Sequence, residues 1–125
     1  MQEENPEPVG GFAGFSFGEL QAQIGLAPDV LASLLREFCE DSEADLKKAV
    51  EELAAGNVRN SRDLLHSVRS AAGNMRLSFL SEKLKNADEF VKKNDTVYVK
   101  ELIKEITDIL IFIKNETIRR REHGT

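Results

Sequence analysis

The chain has no tryptophan, and among its 125 residues there are one cysteine, three prolines and two histidines. A lone cysteine excludes an internal disulfide framework. No stretch is long and apolar enough to act as a signal sequence or to cross a membrane. The expectation is a cytoplasmic protein without membrane insertion, in which Cys39, near Leu35, Phe38, Leu46 and Leu53, is a small buried hydrophobe rather than a reactive thiol. Basic surface is also lacking. A net charge of -5 and a single basic run, Arg119 to Arg121, argue against nucleic-acid binding, which depends on neutralising phosphates. That run falls where a last helix should end, where cations favour the negative end of the helix dipole. With prolines and aromatics scarce, 41% hydrophobic and 31% charged residues suit a soluble helical domain, and 125 residues are enough for one core.

Apolar spacing places the helices. Residues 1–16 are rich in Gly, Pro and acidic side chains and read as a mobile tail or linker, although Phe12 and Phe15 suggest that part of it folds over one end of the domain. A short helix is predicted over Phe17 to Ile24, stopped by Gly25. A long one starts near Pro28 and runs to about Ala55 with Leu31, Leu34, Leu35, Phe38, Leu46, Ala49, Val50 and Leu53 inward, and Gly56 ends it. Asn57 is a candidate cap for a third helix reaching about Arg76. Leu77, Leu80, Leu84, Ala87 and Val91 mark a fourth, broken at Lys92 to Asp95. Val99, Leu102, Ile103, Ile106, Leu110 and Ile113 mark a fifth that runs toward Arg121. Short connections make the long helices antiparallel neighbours. The predicted class is all-α: an up-down-up-down four-helix bundle over residues 17–121 with a short additional N-terminal helix, and a C-terminal tail at 122–125.

The chemistry concentrates between Asp63 and Leu77. At 100° per residue, Leu64, Leu65, Val68, Ala71, Ala72 and Met75 share one side of the helix, and His66 points away among Arg62, Asp63, Arg69, Ser70 and Gly73. Di-iron bundles need inward Glu-x-x-His pairs, and the nearest approach, Asp63-x-x-His66, faces outward, so no metal site is expected. Glu40, Asp41, Glu43 and Asp45 read as the wet face of a long helix. His123 reads as a solvated tail residue. No phosphate loop or activated nucleophile motif is present. His66 with Arg69 one turn on suits a phosphoryl group carried on the imidazole: a neutral ring is a competent nucleophile, and a guanidinium at i+3 can meet the phosphoryl charge with two parallel hydrogen bonds. The carrier nitrogen is expected to be the one farther from the backbone. Gly73 at i+7 leaves a partner room to reach the ring, and with Arg62 it is assigned to partner docking.

The run His66-Ser-Val-Arg69-Ser-Ala-Ala-Gly73-Asn-Met resembles the histidine-containing phosphotransfer (HPt) motif His-x-Leu-Lys-Gly-Ser-Ala-x-x-Leu-Gly. Ala54-Ala55-Gly56-Asn57 before it, and the Leu-rich helix with its closing charged break over Leu77 to Asp95, are similar to the family's pattern, and the likeness extends over about Phe17 to Arg119. The resemblance implies that His66 is the phosphoryl carrier, with Arg69 in place of the usual lysine. It implies partners that are receiver domains of response regulators or of hybrid sensor histidine kinases, with Mg²⁺ held by the receiver and no cofactor on this chain. It also implies a carrier rather than an enzyme, expected to be monomeric. Two family glycines differ: Ser70 stands four residues after the histidine, where its hydroxyl can hydrogen-bond the phosphoryl group, and Arg76 stands ten after, at the helix end. The contrasting reading is a degenerate adaptor that binds a receiver or kinase without carrying phosphate, and Ser70 is the residue that supports it.

Overall fold

The computed structural model describes residues 15–123, with side chains through Arg119. It contains five helices: α1 (Phe17–Ile24), α2 (Pro28–Ala54), α3 (Val58–Asn74), α4 (Ser78–Lys92) and α5 (Thr96–His123). The chain is all-α. Short links force each long helix to return along its predecessor, so α2, α3, α4 and α5 pack in sequence and α5 closes on α2, forming the up-down-up-down bundle. Leu35, Leu46, Leu65, Val68, Leu80, Leu84, Ile106, Leu110 and Ile113 fill its centre, and each such side chain withdrawn from water contributes about 1.5–3 kcal/mol.

The helix ends follow one rule with three different residues. After α2, Gly56 adopts φ +86°, and the amides of Gly56 and Asn57 donate to the carbonyls of Leu53 and Glu52. After α3, Arg76 adopts φ +62°, and its amide and that of Leu77 donate to Gly73 and Ala72. After α4, Asn94 adopts φ +61°, with the amides of Asn94 and Asp95 on Val91 and Phe90. Each is the paired bond that closes a helix through a left-handed residue. Glycine makes that conformation without strain, asparagine tolerates it, and arginine holds it at a cost. The glycine-to-Arg76 departure therefore leaves the turn intact.

Several expectations change. Asn57 does not cap α3 with its side chain, which donates instead to Glu52 Oε1 at 2.9 Å. Leu34 is 40% exposed rather than inward, beside an open groove between α2 and α3. The folded unit begins two residues before the expected boundary at Phe17: Phe15 packs against the core, in keeping with the expectation that part of the tail folds over one end of the domain, and Ser16 Oγ accepts from the Glu19 amide at 3.2 Å. At the other end α5 continues to His123, through two positions assigned to a C-terminal tail. The rest of the expected N-terminal tail, 1–14, lies outside the described residues. Cys39 is wholly buried, as its apolar neighbours required. Burial, reinforced by the nearby Glu43 carboxylate, pushes its thiol up to about 12.

Candidate functional site

The orientation of α3 is set by what it buries. Ser61, Leu65, Val68 and Ala72 repeat at spacings of three and four and are all inside. Ser61 tolerates that position because its hydroxyl donates to the Ala49 carbonyl of α2 at 2.9 Å. With that stripe sealed, the opposite side must face out. Asp63, His66, Ser70 and Gly73 are exposed there, with Arg62 and Arg69 half-buried at its margin toward α4. The His66 side chain is 49% exposed.

One residue of the site comes from α4. Asp88 is 5% exposed and lies on the same stripe as Leu84, Ala87 and Val91. Arg62 Nε donates to its Oδ1 at 2.8 Å and Arg62 Nη2 to its Oδ2 at 3.4 Å. That second oxygen also lies 3.3 Å from His66 Nε2. Burial alone would raise the pKa of this carboxyl, but the hydrogen bonds and positive charge offered by Arg62 and His66 outweigh it, and Asp88 is held below the ordinary carboxylate range. Reciprocally, Asp88 pushes the Arg62 guanidinium up through its hydrogen bond and charge, with Asp63 and Glu89 adding negative charge nearby. Arg62, assigned to docking from its position, thus directs its guanidinium onto α4. The ring nitrogen expected to protrude furthest, Nε2, is instead the one turned toward a buried carboxylate, so a reaction there requires the ring to swing outward.

Sequence reasoning missed Asp88. A signal was present: at i+4 from Leu84 and i−3 from Val91, it falls on the apolar stripe, and an ionised group there needs a partner. Which partner was not readable, because Arg62 and His66 lie on another helix.

The remaining positions cluster on the α3 surface. Among the described residues no carboxylate pairs with Arg69, and the Arg69 carbonyl accepts from Ser81 Oγ of α4 at 3.4 Å. Ser70 stands one turn after His66 in open exposure. A Cβ built on Gly73 would meet nothing closer than Ser81 Oγ at 3.8 Å, so packing alone does not demand glycine there. Val58, Arg59, Arg62, Asp63 and His66 line a shallow depression of about 480 Å³. No three His, Cys, Asp or Glu side chains gather into a metal-binding cluster among the described residues, and no described helix is long and apolar enough to cross a membrane.

No curated protein and no solved structure matches the chain. A family model does: the Hpt domain matches residues 33–111, from the second turn of α2 to just past the middle of α5. Because that match covers more than half of the chain, including all of α3 and α4, the protein belongs to the Hpt domain family, the phosphocarrier modules that meet receiver domains in two-component signalling.

Proposed function

We propose that the chain relays a phosphoryl group between His66 and aspartates on receiver domains, of response regulators or hybrid sensor histidine kinases, within a multistep phosphorelay. A single observation carries this reading. The chain has two histidines, and only His66 falls inside the matched span 33–111, on the outer face of α3 with half its side chain in water.

In the forward step the lone pair of a neutral ring nitrogen attacks the phosphorus of the aspartyl phosphate. A phosphorus–nitrogen bond forms, the phosphorus–oxygen bond breaks, and the receiver aspartate departs as a carboxylate. Little covalent help is needed in such a loose transfer, so the chain acts mainly through position and charge. Arg69, unpaired with any described carboxylate, meets the phosphoryl oxygens, and the Ser70 hydroxyl donates a further hydrogen bond. Gly73 keeps the approach to the ring low. Arg62 acts through Asp88, and only the exposed third of its side chain is left for a partner. The domain works as a monomeric carrier in the cytoplasm, without nucleotide or cofactor of its own, while the receiver brings the Mg²⁺.

The test is incubation with a phosphorylated receiver, followed by detection of an acid-labile, base-stable phosphate on this chain. His66→Gln should abolish the label and change stability by less than ~0.5 kcal/mol, as for other surface substitutions. Labelling of that variant at the normal rate would move the site to His123. A wild-type chain that binds a receiver yet never acquires phosphate would leave the adaptor reading, to which Ser70 in place of the family glycine points.

A further inference from the structure

The carboxylate behind the histidine has more partners than its burial requires. Arg62 alone could neutralise Asp88 through the 2.8 Å and 3.4 Å bonds, yet Oδ2 also stands 3.3 Å from His66 Nε2. The surroundings are not neutral either. Around the one guanidinium of Arg62 lie three carboxylates, Asp88, Asp63 and Glu89. Arg59, which lines the same depression as His66, and Arg69 are the other cations on this part of α3. The unphosphorylated ring, with an N–H toward Oδ2, is favoured by such a corner.

Resting on the carrier reading of His66, we propose that Asp88 disfavours the phosphorylated histidine relative to the receiver's aspartyl phosphate, so that phosphoryl groups pass through this domain instead of accumulating on it. The bond changes explain the sign. Before attack the proton on Nε2 is exchanged through water to Nδ1, which frees the Nε2 lone pair. The new phosphorus–nitrogen bond then replaces the N–H that faced Asp88, the receiver aspartate leaves as a carboxylate, and the favourable contact is lost. The phosphoryl group also brings negative charge toward a carboxylate that α4 holds in place. Both changes raise the free energy of phospho-His66. Swinging the ring outward lengthens the distance and weakens the repulsion, but it does not restore the contact.

The experiment uses the full chain and any receiver domain that labels it, phosphorylated with acetyl phosphate and desalted. The equilibrium ratio of phosphohistidine to phosphoaspartate is measured from both directions at pH 8, with both transfer rates. Asp88→Asn keeps shape and hydrogen bonding but removes the charge, so the ratio should rise about three- to tenfold. Arg62→Gln leaves Asp88 less compensated and should move the ratio the opposite way. Thermal unfolding followed by helical circular dichroism establishes that each variant is folded. If Asp88→Asn does not fold, Arg62→Gln decides alone, and an unchanged or raised ratio in it overturns the proposal. Equal slowing of both directions in Asp88→Asn, with the ratio unchanged, would make Asp88 a mere positioning residue. A lowered ratio would mean that the carboxylate stabilises phosphohistidine, as it would if Nδ1 were the carrier and Nε2–H kept its contact. Either result overturns the proposal. A wild-type chain that is never labelled defeats the carrier reading itself and this inference with it.

Discussion

The two faces of α3 are built from the same seventeen residues and obey different rules. The inner face holds Leu65, Val68 and Ala72 at 2% exposure or less, where only volume and apolarity matter. On the outer face polar groups stand in water or half in it, and what matters there is which charge meets which. The inner face does no chemistry, but it aims the outer one: once Val68 is sealed, His66 has only one direction left. Mutations should therefore divide by face, inner ones changing stability and outer ones changing transfer.

The largest effect should come from crossing that division. Val68→Asp puts an unpaired charge into a site 2% exposed, at a cost of about 3–5 kcal/mol. Chemical denaturation would measure it. A variant as stable as the parent would mean that the inner face has been misassigned.

On the outer face Arg69→Ala should leave the denaturation midpoint nearly unchanged and slow receiver-to-histidine transfer by about tenfold. A charge-assisted hydrogen bond is worth about 1.5–3 kcal/mol, and water reduces that at a half-exposed position. Arg69→Lys should retain much of the rate, since the charge stays and only the bidentate geometry is lost. If both substitutions altered receiver affinity and its salt dependence alone, with no phosphohistidine in any variant, the outer face would be a docking surface and nothing more.

Two smaller effects test the boundary between the faces. Arg76 holds φ +62° at the turn after α3, so Arg76→Gly should stabilise the bundle by about 1 kcal/mol without changing transfer. An unchanged or lowered midpoint would show that the turn carries no strain. Gly73→Ala should add about 0.5 kcal/mol of stability, because a helical glycine is unfavourable and the new methyl meets only Ser81 Oγ at 3.8 Å. The same methyl should slow transfer by obstructing the partner. A faster or unaffected transfer would remove Gly73 from the docking surface.

Much of this is legible in the sequence. Period-3.6 spacing located α2 to α5 and turned His66 outward, and Gly25 and Gly56 marked helix ends because glycine adopts left-handed conformations freely. Leu34 was misread because it matched the apolar period of α2, whereas its height on the helix leaves it at the edge of a groove. Asn57 matched a capping preference, but the nearby Glu52 offered its side chain a stronger, charged acceptor.

Sequence alone thus determined the helices, their antiparallel order and the face on which the histidine stands, since each follows from local periodicity and short links. Tertiary structure decided what stands behind that histidine. Asp88 meets Arg62 and His66 only because α4 packs on α3 at one height and one rotation, set by side chains filling the space between helices and not by any spacing along the chain. The electrostatic setting of the ring is therefore a property of that packing.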